Sequence, residues 1–127
     1  SGDLTLNSSG GDVIIAGNLQ VDGTTTTVNS TSVTVDDPIF VLGGDSAPGS
    51  DDNKDRGILF RWHNGSAAKM GFFGYDDSIS KFTFVADASN SSEVISGSAG
   101  DIKVGGIEAT SITGPSGSTC TVDGGTY

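Results

Sequence analysis

Four aspartates, Asp45, Asp51, Asp52 and Asp55, crowd one Gly- and Pro-containing loop, "DSAPGSDDNKD". Carboxylate oxygens at that density are the hard ligands that Ca²⁺ takes. The spacing does not follow an EF-hand loop, and no glutamate stands at the twelfth position, so the loop reads as solvated and acidic and no metal is assigned. Residue types alone leave its affinity for Ca²⁺ open. Asp76 and Asp77 suggest the paired carboxylates of a glycoside hydrolase. Adjacent residues at a strand end point apart, and the surrounding sequence gives them no apolar pocket in which to divide the roles of acid and base. They read as turn residues. His63 precedes Asn64-Gly65 at a hairpin tip, with Ser66 nearby, yet the pattern supplies neither an orienting acid nor an oxyanion site. No residue is assigned as catalytic, no cofactor is implied, and the chain reads as a non-enzyme.

The remaining candidates are fewer. Cys120 lies between Thr119 and Thr121 in an alternating stretch, with no second Cys and one His in the chain, and reads as a structural thiol. Gly-rich runs such as "GGDSAPG" lack the Lys of a phosphate-binding loop and open no helix, which leaves nucleotide binding without support. The sequons at Asn7, Asn29, Asn64 and Asn90 are what chance gives in a chain so rich in Asn, Ser and Thr. Trp62, Phe73 and Tyr75 have two readings, the core of a small sheet or an exposed platform on which a glycan ring stacks. Tyr75, abutting the Asp76-Asp77 turn, and His63, at the other hairpin tip, are the candidate receptor contacts.

The elements that must position these residues are strands. Leu, Ile, Val and Phe make up 30 of 127 residues, enough for a folded chain. Twenty glycines and abundant Ser, Thr and Asn suit short strands and tight turns, and helix has little support anywhere. A net charge of −10, from 16 acidic and 6 basic side chains, opposes attraction to nucleic acid or to anionic lipid. No run approaches the roughly 18 apolar residues of a membrane span, and the first residues lack the basic and apolar regions of a signal peptide, so the chain reads as soluble, with no membrane insertion. It begins at Ser1 and stops in the strand-like "CTVDGGTY", as a processed product or an excerpt would.

Three regions differ in kind. Residues 1–36 and 97–127 carry a repeated unit, seen in "GDLTL", "GDVIIAGNLQVDG" and "GDIKVGGIEATSI": Gly, then Asp or Asn, then alternating aliphatic residues, then Gly. Leu4 and Leu6, Leu19 and Val21, and Ile102 and Val104 each share one face at period two. Two or three aliphatic side chains, at ~1.5–3 kcal/mol each when buried, do not offset an ordering cost of ~1–2 kcal/mol per residue in a lone ribbon. Three copies about one axis would let each stripe meet two others and would remove the sheet edges. The stretch "TTTTVNSTSVTV" then becomes an intertwined or stacked segment whose Val28, Val33 and Val35 face inward. Leu19, Val21, Val28, Val33, Val35, Ile102 and Val104 are the expected core of a homotrimer. The alternative is a solvated edge strand in a monomeric sandwich.

Residues 37–96 hold nearly all the aromatics and predict a compact antiparallel meander. A strand over residues 39–42 comes first. Then Ile58, Phe60 and Trp62 alternate with Leu59 and Arg61, "HNGS" turns the chain, Met70 and Phe72 alternate with Gly71 and Phe73, "DDSIS" turns it again, and Phe82 and Phe84 alternate with Thr83 and Val85. A polar loop and one short strand over residues 93–95 follow. The fold class is thus all-β: short strands in Gly-punctuated repeats flanking a small antiparallel β-meander, in a homotrimeric fibre-like assembly.

The runs "GNLQVDGTTTTVNSTSVTVDDPIFVLGG", "DRGILFRWHNGSAAKMGFFGYDDSISKFTFVADASNSSEVISG" and "GDIKVGGIEATSI" resemble structural fibre proteins of tailed bacteriophages, in particular of marine and cyanobacterial phages. The resemblance covers nearly the whole chain and is most specific over residues 55–88. It implies a virion component, most often a homotrimeric β-rich tail fibre or similar appendage, and carries over no catalytic residue. The partners it implies are copies of the chain itself, other virion proteins and, where the fibre takes part in host attachment, a host surface glycan. Two other classes stand beside this one: a carbohydrate-binding host-recognition module or a capsid-decorating fibre protein, and a polysaccharide-degrading spike, for which no convincing acid pair exists. Which appendage is involved, and whether the trimer is intertwined or side by side, the sequence leaves open.

Overall fold

The structure of the chain, a computed structural model, describes residues 2–114. Among these residues it is all-β, with no α-helix and with small antiparallel sheets. Cys120 and the strand-like end of the chain lie outside the described residues. The chain divides into two units, Ser1–Pro38 and Ile39–Tyr127.

In the first unit the described residues form no strand, and every one of them is exposed. Leu19, Val21, Val28, Val33 and Val35 stand 55% to 69% open to solvent. The stripes predicted from alternation therefore find no ladder within one chain. The reason is physical: two aliphatic side chains on a lone ribbon do not offset the ordering of its backbone, and a ladder needs a second edge.

The second unit is built on a meander. Strand β1 (Arg56–His63) pairs antiparallel with β2 (Ala68–Asp76), and β2 with β3 (Lys81–Val85), in the order β1-β2-β3. Opposed residues include Ile58 with Phe73, Phe60 with Gly71, and Phe73 with Phe84. The three strands and both turns expected from alternation are present. At the first turn Gly65 takes φ 95°, which only Gly adopts at little cost, and the Asn64 carboxamide oxygen accepts from the N–H groups of Ser66 and Ala67 at 2.9 and 2.8 Å. At the second, a single 3₁₀ turn (Asp77–Ile79) ends in Ser80 with left-handed backbone.

A second, two-stranded sheet follows, β4 (Ser89–Ser91) and β5 (Val94–Ser96). Sequence reading expects a polar loop where β4 lies. The two residues between the strands, Ser92 and Glu93, have φ of 50° and 64°. That is the type I′ hairpin geometry normally signalled by Asn-Gly, made here without either residue, so no local cue announces it. The Asn90 side chain supports the turn by accepting from Glu93 N–H at 2.9 Å.

The buried core is small: Phe72, Val85 and Ala88, with Ile95 of β5 packed against them. The Phe72 ring lies over Gly57 and Gly74, which face each other across β1 and β2; a Cβ on either would come within 2.6 Å of the ring. Beyond β5, Val85 and Ala99 form an isolated bridge, and Gly100 N–H donates to the Phe84 carbonyl at 2.6 Å. Residues 39–42, expected as a strand, and residues 102–104 carry no ladder in the single chain, and Ile102 and Val104 are exposed. None of the described helical turns is long and apolar enough to cross a membrane.

Candidate interaction surface

Paired residues in an antiparallel sheet project to the same side, so the register sorts the meander into two faces. One face carries Leu59, Met70, Phe72 and Val85, and against it the β4–β5 hairpin packs. Asp55 fastens that hairpin. Its Oδ1 accepts from Asp77 N–H at 2.9 Å and its Oδ2 from Ile95 N–H at 2.6 Å, while its own N–H donates to the Glu93 carbonyl at 2.8 Å.

The other face carries Ile58, Phe60, Trp62, Phe73, Tyr75, Phe82 and Phe84, each at least 36% exposed. Gly100 and Asp101 adjoin it at Phe60 and Phe84, and most of it stays open. The core expected from the aromatics is therefore realised by Phe72 alone, because a three-stranded sheet has two faces and one hairpin covers only one of them. On the bare face Phe73 and Phe84 stack with ring centroids 4.5 Å apart, and Tyr75 meets Phe82 edge-on at 5.4 Å. Phe60 lies down over Gly71, where any Cβ would collide with its ring, which keeps the middle of the face flat. The Trp62 indole Nε1 donates to the Ala86 carbonyl at 2.9 Å and so has already spent its proton.

Charge stands at Asp101, beside Phe60 and Phe84, and in two ion pairs at the rim. Arg56 donates to Asp52 Oδ2 at 2.7 Å, and Lys69 pairs with Asp87 at 2.6 Å. The hydrogen bond from Arg56 holds the Asp52 carboxyl below its usual value of 3.8, and the same bond raises the Arg56 guanidinium.

The two candidate receptor contacts are not brought together. Tyr75 is opposite Arg56 at one end of the β1–β2 ladder and His63 opposite Ala68 at the other, seven positions away, or roughly 24 Å at ~3.4 Å per residue. They also lie on opposite faces. His63 Nδ1 accepts from Gly65 N–H at 3.0 Å. Tyr75 forms one wall of an open cleft of about 450 Å³ with Pro48, Asp51, Asp52, Arg56 and Asp77. Within the acidic loop, Asp51 accepts from Asn53 N–H and Asp52 from Lys54 N–H, so these carboxylates brace the loop's own backbone. No cluster of His, Cys, Asp or Glu able to hold a metal occurs among the described residues. Of the two readings of Trp62, Phe73 and Tyr75, the structure places them on an exposed face; what sequence reading did not give is the extent of that face, which Ile58, Phe60, Phe82 and Phe84 continue. The alternation was visible, but which face the later hairpin covers was not.

No protein-family model matches the chain, and neither a curated protein nor a solved structure matches it.

Proposed function

We propose that the chain is a structural segment of a bacteriophage virion fibre, a tail fibre or similar appendage, that acts as a homotrimer in the extracellular particle. Its work is mechanical and non-enzymatic: it projects or connects other virion proteins and takes part in host attachment. One observation carries this reading. A folded monomer of 12.8 kDa exposes roughly 6,300 Å², whereas this chain exposes 11690 Å². Excess surface of that size, on the order of 5,000 Å² on one chain, exceeds the ~1,000–2,500 Å² that each partner of a typical obligate interface covers and leaves ample area for contacts with more than one copy. The residues expected at a trimer axis, Leu19, Val21, Val28, Val33, Val35, Ile102 and Val104, are among the apolar side chains left exposed. The class of particle rests on the resemblance read from the sequence in three long runs.

A second reading, carbohydrate binding at a host surface, is favoured by the cleft beside Tyr75, where an aromatic ring adjoins Asp52 and Arg56. It is compatible with the first, since a fibre can carry such a site.

The test is the solution mass of the purified chain by light scattering coupled to size exclusion, over a range of concentrations. A stable species of three chains is expected. A well-folded monomer at every concentration would refute the fibre reading and leave the binding module.

A further inference from the structure

We infer that the bare aromatic face of the meander is the surface by which copies of this chain meet, each face being covered by the same face of the neighbouring copies. The inference rests on the multichain reading above and goes beyond it by assigning the contact to the compact unit, not only to the repeated stripes of residues 1–36 and 97–127.

Size is the first argument. Seven apolar side chains, exposed between 36% and 75%, present on the order of 700 Å² when an aromatic residue offers ~150–250 Å². That exceeds the ~300–600 Å² of the largest patch on an ordinary monomer and matches one partner's share of a standard interface, ~800 Å².

Charge is the second. The chain carries a net charge of −10, which would drive copies apart wherever acidic surfaces met. The aromatic face is the exception. Its own strands place no carboxylate on it, Asp101 adjoins it at Phe60 and Phe84, and the two cations at its rim are neutralised within the chain, Arg56 by Asp52 and Lys69 by Asp87. Like can therefore meet like here with less repulsion than elsewhere on the chain.

The third argument separates a second copy from a glycan. Stacking a sugar on an aromatic platform also requires hydrogen-bonding groups beside the ring, because sugar hydroxyls stripped of water need partners. Ile58, Phe60, Phe73 and Phe84 provide none, the one indole N–H on the face is already bonded to Ala86, and the polar groups beside the face stand at its Tyr75 end and at Asp101. A mostly apolar surface with few hydrogen-bonding groups is suited to an identical one.

The experiment compares the wild-type chain with Phe73→Asp, placed in the middle of the face, and with Arg61→Glu, exposed on the opposite face. The readouts are mass by light scattering, far-UV circular dichroism, and acrylamide quenching of Trp62, the single tryptophan. The expected result is three chains for wild type and Arg61→Glu, monomers for Phe73→Asp at concentrations at least 100-fold above wild-type dissociation, and Trp62 quenching several-fold weaker in the assembly than in the dissociated chain. A Phe73→Asp protein that stays trimeric overturns the inference while the trimer reading stands. A monomeric wild type removes both. If Phe73→Asp fails to fold, the quenching of wild-type Trp62 decides: an indole in the intact assembly as accessible as in the dissociated chain overturns the inference. Saturable binding of a soluble oligosaccharide that shields Trp62 in the native protein assigns the face to a glycan and also overturns it.

Discussion

Asp55→Ala isolates the contact that holds the β4–β5 hairpin on the sheet. The carboxylate accepts two backbone N–H groups from elements 22 and 40 positions away, Asp77 and Ile95. Each hydrogen bond to a charged acceptor contributes about 1.5–3 kcal/mol when shielded from water. Asp55 is half-buried, so water recovers part of this in the variant, and the expected net loss is about 2–3 kcal/mol, a large share of the ~5–15 kcal/mol that stabilises a typical domain. The loss should be local. Amide hydrogen exchange at Ile95 and Asp77 should speed up roughly 30- to 150-fold at ~1.4 kcal/mol per tenfold, while the amides of the β1–β2 ladder keep most of their protection. Asp55→Asn keeps one acceptor but turns an NH₂ donor toward the other N–H, and should recover no more than about half of the loss. Measurements belong at one protein concentration, so that assembly does not enter the comparison. If Ile95 in Asp55→Ala stays within threefold of wild-type protection, the hairpin is held by the Phe72, Val85, Ala88 and Ile95 packing alone, and the assigned role of the carboxylate is wrong.

Three further outcomes follow from the same geometry. Gly57→Ala places a Cβ in collision with the Phe73 carbonyl and 2.6 Å from the Phe72 ring, with Gly74 Cα at 2.7 Å, so the strands must part. It should lower stability by about 3 kcal/mol in denaturant titration, against about 1 kcal/mol for Gly65→Ala, where space is open and only the positive φ resists. Equal losses at the two sites would contradict the cradle assigned to Gly57. Val35→Asp, or Val33→Asp, should prevent a stable trimer by placing three charges near its axis, and a normal trimer mass would show that this segment does not face inward. The Asp52 carboxyl is held down by Arg56, so the pair's contribution is present above the ordinary value of 3.8 and is lost as pH falls below it, through the lowered folded value. Carbon-13 titration of Asp52 should give a midpoint under 3.8 that rises in Arg56→Ala; a wild-type midpoint at or above 3.8 would remove the ion pair in solution.

Part of this molecule was legible before any coordinates. Alternation of Ile58, Phe60 and Trp62, and then of Met70 and Phe72, marks strands because side chains in a pleated backbone repeat every two residues. Asn64-Gly65 marks a hairpin because the positive φ at residue 65 favours Gly. Both are local constraints, written within a few residues. The β4–β5 hairpin escaped because Ser92 and Glu93 take left-handed backbone without the residues that usually announce it. The acidic loop read as solvated, with its affinity for Ca²⁺ left open; what the sequence did not show is that the carboxylates of Asp51, Asp52 and Asp55 bond to Asn53, Lys54 and Arg56 nearby and to the distant Asp77 and Ile95.

The sequence by itself determined an acidic, all-β chain with a three-stranded meander and narrow aliphatic stripes on either side of it. Tertiary structure alone decided which side of the meander became core. Alternation defines two faces but does not rank them. That choice is made by a hairpin returning from residues 89–96, held by Asp55 and seated on Phe72 over its paired glycines. A hydrogen bond spanning 40 positions leaves no periodic trace in the residues it joins, and covering one face with it leaves the other, the aromatic one, bare.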